Sequence, residues 1–336
     1  MTRPKNKEDY RAELAEAFAH VLEERGLEWQ KEWRGSGDNT PHNGITGACY
    51  RGTNAFFLSL IAMAKGYTDP RWVTMVQIMD KDGKYHPKEK WHLKAGSKAT
   101  YVEYWYPYDS PNRKALTWEQ YKRELADGRD PSEFHLSTKY TAVFNAHDVE
   151  GMPELPVFEE SNIAQDELLN KLCSGMGVAI LMDGGDQAYY SPSQDTIHLP
   201  TPDSFMGEYA FHATALHELA HATGHPSRLN RDMSGGFGSP QYAYEELVAE
   251  ISSCFMGVNL TEKASPAHIE NHKAYVQFWI QEVRDKPDTL VRAIKDAQAT
   301  TWYMDWKAGL ISDVEYTKTT NSVMEVATRN RDRDAR

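Results

Sequence analysis

Cysteine is scarce in this 336-residue chain: Cys49, Cys173 and Cys254 stand far apart, without a CxxC pair. An odd, unpaired set excludes a disulfide framework and a cysteine-built zinc module, and reads as three buried thiols. Long apolar runs are missing too. No stretch approaches the roughly 20 residues needed to span a bilayer, and the opening MTRPKNKEDY leads into an amphipathic pattern instead of a signal-peptide core. The expectation is a cytoplasmic, soluble protein with no membrane partner. Positive charge is in deficit overall, the formal net charge being −12, which weighs against a polyanionic partner for the chain as a whole. The deficit is uneven. Residues 1–140 hold 22 Lys and Arg against 20 Asp and Glu, residues 141–336 hold 15 against 29, and residues 51–100 hold 9 against 4. A basic face is open only to the first part. Internal repeats and low-complexity tracts are absent, which excludes solenoid and compositionally biased architectures.

The length and a 40% hydrophobic content accommodate two domains with separate cores. Leu14, Ala17, Phe18, Val21 and Leu22 recur at helical spacing over residues 8–26, a turn-rich loop occupies 35–47, and 53–66 reads as a second helix stopped by Gly66. Strand formers then dominate 71–79, 99–108 and 139–149. The proline- and acid-rich EGMPELPVFEES (150–161) has no period and reads as a linker. Beyond it come a helix near 164–174, strand-like GVAILMD (177–183), a hairpin-like QAYYSPSQDTIHLP (187–200), and helical periodicity from about 207. Phe278, Trp279, Val283, Leu290, Ile294 and Trp302 mark long closing helices, and the last residues form a polar tail. The expected fold class is α+β with two domains, at 1–150 and 163–322, a linker at 151–162 and a tail at 323–336.

The stretch TALHELAHATGH (214–225) carries three histidines at four-residue intervals. On a helix His217 and His221 share one face, and Glu218 stands beside the open coordination position, the HExxH arrangement. The surrounding YAFHATALHELAHATG is apolar nearly all round, so the helix is buried and its polar groups need a partner, which a metal supplies. Catalytic zinc takes three protein ligands, so a third should follow downstream. In YEELVAEIS (244–252), Glu246 and Glu250 lie four apart on an apolar helix, one placed to bind metal and the other to brace a ligand histidine; Glu245 faces elsewhere. A metzincin would need a histidine at position 227, where this chain has Ser227, and His225 sits just past Gly224 in a capping or surface role. With zinc bound, Glu218 would accept a proton from water and pass it to a leaving amine, which is peptide-bond hydrolysis. The hairpin around Tyr189–Leu199 precedes the metal helix, where an edge strand can pair with an extended peptide.

The segments YYSPSQDTIHLP, HELAHATGHPSRLNR and YAYEELVAEISS, with PHNGITGACYRGTN, DPRWVTMVQ and LKAGSKATYVEYW, resemble the ArdC-type antirestriction proteins of conjugative plasmids, related to TraC-type primases and phage polyvalent proteins. The resemblance implies an N-terminal single-stranded-DNA-binding domain, a C-terminal zincin-like metallopeptidase domain, and a role in protecting incoming mobile-element DNA from restriction. It implies that His217, His221 and Glu246 hold the metal, Zn²⁺ or another divalent ion such as Mn²⁺, and that Glu218 is the catalytic base, which leaves Glu250 of the spaced pair as the residue that braces a ligand. Single strands are bound by aromatic platforms and cations, and this part interleaves Tyr50, Arg51, Arg71, Trp72, Trp91, Lys94, Lys98, Tyr101 and Tyr104. Composition alone assigns Trp72 and the tyrosines to strand core and the lysines to a solvated face. The resemblance instead implies DNA contacts from Arg51, Asn54, Arg71, Trp72, Lys94 and Lys98. Expected partners are single-stranded DNA and a host protein or peptide substrate.

Overall fold

The apolar period over residues 8–26 forms helix α1 (Lys7–Arg25), which buries Leu14, Phe18, Val21 and Leu22 on one side. The computed structural model describes residues 4, 6–25, 40–86, 90–155, 165–205, 207–236, 239–257 and 273–317. The expected tail (323–336), most of the expected linker (156–162) and the first five residues of the expected turn-rich loop (35–39) lie outside the described residues. After β1 (His42–Asn43), helix α2 (Gly52–Lys65) ends where Gly66 turns left-handed, φ 67°, and its N–H reaches the carbonyls of Ala62 and Met63.

The strand expected over 71–79 is shorter. Only β2 (Arg71–Thr74) is extended, and Met75–Met79 is a short helix, α3. Thr74 explains the break: its hydroxyl accepts from the Gln77 N–H at 3.2 Å while the Gln77 side chain accepts from the Thr74 N–H at 2.9 Å. This reciprocal capping box starts a helix despite the β-favouring composition. There follow β3 (His92–Leu93), β4 (Thr100–Asp109), β5 (Lys114–Ala115), α4 (Trp118–Ala126), β6 (Phe134–Asn145) and β7 (Val149–Glu150). The main sheet runs β1-β2-β6-β4-β5, with β1 parallel to β2 and the other pairs antiparallel; β3 and β7 pair separately.

The second part contains α5 (Gln165–Met176), β8 (Ala179–Leu181), β9 (Tyr189–Ser191), β10 (Thr196–His198), α6 (Glu208–Ala222), α7 (Pro240–Gly257), α8 (Lys273–Asp285) and α9 (Pro287–Lys307). The expected hairpin is the antiparallel β9–β10 pair, and β8 joins β10 in parallel, giving the order β8-β10-β9. Tyr190, Ile197 and Leu199 of this small sheet share a core with Leu216 and Leu219 of α6.

The α+β, two-domain architecture is as expected, but the cores are not separate. Leu14 and Phe18 of α1, Phe56 and Leu60 of α2, and Trp72 and Val143 of the main sheet pack in one cluster with Val248 and Ile251 of α7, Trp279 and Val283 of α8, and Leu290 and Ile294 of α9. The helices of the first part complete their burial only against those of the second, because a five-stranded sheet with few helices leaves apolar surface that water would penalise. Further along, α9 places Tyr303 and Met304 in the second core. Polar contacts cross the same boundary: Arg284 grips Glu16 at 2.7 and 3.0 Å and also pairs with Glu23, Arg11 pairs with Asp288, and the Gly52 N–H donates to Gln298 at 2.9 Å. Of the three cysteines Cys254 is buried and Cys173 half-buried, whereas Cys49 is exposed, against the expectation of three buried thiols. Among the described residues no helix is long and apolar enough to cross a membrane.

Candidate metal centre and nucleic-acid interface

His217 and His221 lie one turn apart on α6, and Glu246 reaches them from α7. Their Nε2 atoms are 3.1 Å apart, and the Glu246 carboxylate oxygens stand 3.4 Å from that of His217 and 3.5 Å from that of His221. One ligand atom from each residue lies within 4.8 Å of the others, and all three side chains are buried. Edges of about 3.3 Å are what a tetrahedral site with bonds of about 2.0–2.1 Å requires, and two imidazoles with one carboxylate suit Zn²⁺ or Mn²⁺. Two buried imidazole nitrogens facing each other this closely, with a carboxylate across from both, have their lone pairs met together by a divalent cation. The donor set fits one.

The far nitrogen of each histidine meets its own carboxylate. His221 Nδ1 is 3.3 Å from Glu245, and His217 Nδ1 is 3.8 Å from Glu250. Glu250 is thus on the bracing side, where the helical spacing allowed it to be. Glu245 does not face elsewhere: it stands behind His221. Arg231, in the loop after α6, holds Glu245 with two hydrogen bonds of 2.6 and 3.0 Å and spends its remaining donors on the Thr223 and Thr300 hydroxyls and the Ala220 carbonyl. Gly224 makes room for it, since a Cβ there would lie 3.2 Å from the guanidinium and 2.6 Å from the Met233 sulfur. Sequence spacing missed both Glu245 and Arg231; the Glu-Glu doublet at 245–246 was the one signal available.

Electrostatics follow this geometry. Burial opposes charge on His217, but the carboxylates of Glu250, Glu246 and Glu218 outweigh it and push its imidazolium up to about 10. Burial likewise opposes charge on His221, and Glu245, Glu246 and Glu218 again raise it. For Glu245 burial favours the proton, yet His221 and Arg231 hold the carboxyl below its ordinary range. Glu218 is buried beside the two histidines and contributes to the field on each. His225 is engaged at 2.7 Å with Ser227, away from the three-residue cluster, in the peripheral role expected of it.

The residues expected to touch DNA divide. Arg51, Lys94 and Lys98 are exposed, with Lys94 donating to the His147 carbonyl at 2.6 Å. Trp72 is 1% exposed inside the core, so it offers no stacking platform on the surface. Arg71 is paired at 2.6 and 3.0 Å with the Asp69 carboxylate, which neutralises it, and also donates to the Pro153 carbonyl. The Asn54 amide accepts from Tyr10 and from the Glu103 N–H and donates to the Glu103 carbonyl, fastening α2 to β4, so its polar atoms are spent inside the fold. Trp91 is buried against His86 in a stack of 3.9 Å. Tyr104 is 45% exposed, and the unforeseen Lys139 lies 4.8 Å from its ring centre, directly opposite on β6.

The same two-part division appears in comparisons with other proteins. A family model described as the N-terminal domain of anti-restriction factor ArdC matches residues 8–144, and one described as zincin-like metallopeptidase matches residues 167–296. A DNA primase TraC from Escherichia coli is 35% identical over 300 residues, covering 87% of this chain and 26% of the relative. A second TraC primase from Escherichia coli is 34% identical over 301 residues, so the chain spans only 19% of that relative. The uncharacterised protein y4eC of Sinorhizobium fredii is 30% identical over 318 residues, 93% of this chain and 95% of the relative. Crystal structures of antirestriction protein ArdC from plasmid R388, metal-free and Mn(II)-bound, superpose with TM-scores of 0.65 and 0.64 at 25% identity, over 90% of this chain and 98–99% of theirs. With both domains matched in order along its length, the chain belongs to the family of ArdC-type antirestriction proteins.

Proposed function

We propose that this chain binds single-stranded DNA through its N-terminal part and hydrolyses peptide bonds at the His217, His221 and Glu246 centre, protecting incoming mobile-element DNA from restriction. The observation that carries the peptidase reading is the convergence of those three ligand atoms within 4.8 Å on two packed helices, with Glu218 buried next to the first ligand. A divalent cation, Zn²⁺ or Mn²⁺, held there supplies Lewis acidity, making a water more acidic and the scissile carbonyl more electrophilic. Glu218 takes a proton from the attacking water and returns it to the amine nitrogen as the C–N bond breaks. Glu245 and Glu250 fix the rings of His221 and His217 so that Nε2 faces the metal position. The β9 edge, where Tyr189 is 44% exposed, suits an extended peptide adding as a further strand. For the DNA, Arg51, Lys94 and Lys98 are the phosphate contacts, and Tyr104 with Lys139 is a stacking platform. Residues 1–150 carry this interface and residues 163–322 the peptidase.

Glu218→Gln keeps the ligands and removes the base. The variant is expected to retain stoichiometric metal and to lose peptide hydrolysis by about 10²–10⁴-fold, measured on an unfolded protein substrate. In a recipient cell, full protection of unmodified DNA by this variant would sink the proteolytic account of protection and leave shielding by DNA binding. The second reading is a protease acting on proteins bound or crosslinked to DNA, favoured by the core that joins the two parts; it requires single-stranded DNA to stimulate cleavage. A non-catalytic, four-ligand metal is disfavoured, because His225 is engaged with Ser227.

A further inference from the structure

Between the two parts lies a cavity of about 440 Å³, separate from the metal cluster. Tyr50, Arg51, Tyr67 and Trp72 line it from the N-terminal side, Phe255 and Asp305 from α7 and α9. Its size and mainly apolar, aromatic lining are those of a site for a small planar ligand. Two of these residues carry a buried polar atom without a hydrogen-bond partner: Trp72 Nε1, a donor, and Asp305 Oδ1, an acceptor. Buried polar atoms are nearly always satisfied, so one wall lacks an acceptor and the other a donor.

We infer that this cavity receives a nucleobase, whose ring stacks among Tyr50, Tyr67 and Phe255 and whose edge offers both an acceptor and a donor to Trp72 and Asp305. A phenyl ring or an acyl chain fills the same space and leaves both atoms unmet, whereas every base carries donors and acceptors side by side in one plane. Arg51, exposed in the same lining, supplies a cation for the attached phosphate. Burial pushes the Asp305 carboxyl up to about 7, so near neutrality it serves either as acceptor for an amino group or as donor to a ring nitrogen. The base comes from a bound strand or from a free nucleotide; the first source rests on the DNA-binding reading above, the second does not.

The test uses the full chain and five probes: oligo(dT), oligo(dA), an abasic strand of the same length, and the mononucleotides dTMP and dAMP. Ser59→Phe fills the cavity from α2, and Asp305→Asn alters the edge contact without adding bulk. Strands with bases are expected to bind about tenfold more tightly than the abasic strand, with the excess reduced in Ser59→Phe to what stacking on Tyr104 supplies, altered in Asp305→Asn, and the salt-dependent part kept in both. Saturable mononucleotide binding that Ser59→Phe abolishes would support the cavity with a free nucleotide as the source. Equal affinity for abasic and base-bearing strands, or a base preference undiminished in a folded Ser59→Phe protein, would overturn the inference and leave DNA binding standing. Should no strand bind at all, the DNA-binding reading fails, and the cavity stands if mononucleotides bind and Ser59→Phe abolishes it, and falls otherwise.

Discussion

Glu245 and Glu246 are neighbours in the chain and serve one centre from opposite sides. Glu246 faces the two Nε2 atoms, while Glu245 holds the far nitrogen of His221 and is itself held by Arg231. What an imidazole gives a metal depends on what its other nitrogen is bonded to, so Glu245→Gln is expected to weaken Zn²⁺ or Mn²⁺ binding about 10–100-fold in a chelator-competition titration. Unchanged affinity would reduce Glu245 to a packing partner of Arg231. A second residue-scale expectation concerns Asp305. Its carboxyl, raised by burial to about 7, favours the protonated form in the folded protein, so its stabilising contribution is complete below the ordinary range near 3.9 and is lost as the pH rises through 7. Asp305→Asn should therefore be more stable than the wild type by roughly 1–3 kcal/mol at pH 8, with the gap closing towards pH 4, by urea denaturation at both pH values. His217 and His221 are legible in sequence because helical spacing puts them on one face, whereas spacing leaves Glu246 and Glu250 interchangeable and the resemblance makes the choice between them. Glu245 is not, since adjacent helix positions differ by about 100° and which one meets His221 depends on how α6 and α7 cross. Asn54, Arg71 and Trp72 are expected to contact DNA on the strength of the family resemblance, which carries residue types but not whether a side chain is spent inward; composition alone places Trp72 in the core.

At the scale of elements, periodicity located most helices and strands, and the misreading at 71–79 has a local cause. A Thr-x-x-Gln box outweighs the strand formers Trp72, Val73, Val76 and Ile78 around it because it satisfies two otherwise open N–H groups at once. The fit between elements is not visible in the same way. Gly175 of α5 meets the end of α9 so closely that a Cβ would lie 2.0 Å from the Lys307 carbonyl oxygen. Backbone cannot yield as a flexible side chain does, so Gly175→Ala is expected to push α5 from α9 and cost about 1–3 kcal/mol, seen as a lower thermal midpoint. A midpoint equal to the wild type's would mean that the two helices slide past each other freely. In the sequence Gly175 is simply a glycine near a helix end, and its partner is 132 positions away, at Lys307.

At the scale of the whole molecule, two parts with distinct chemistry are bound by one interior. Leu14, Phe18, Phe56 and Leu60 cover apolar residues of α7, α8 and α9 that would otherwise face water. Residues 163–322 expressed alone should therefore fail to reach a compact monomeric state, and the intact chain should unfold in one calorimetric transition. A fragment that melts cooperatively within a few degrees of the full chain, and elutes as a monomer, would show that the shared core stabilises neither part. Hydrophobic periodicity revealed the long core helices but not which distant helix each covers, which is why separate cores were the natural expectation. The primases from Escherichia coli, of which this chain spans about a quarter and a fifth, contain a matching segment within a longer polypeptide. Because α9 contributes to both interiors, a recombination that cuts between the parts is expected to strip apolar cover from each, which favours inheritance of such a segment as a whole cassette.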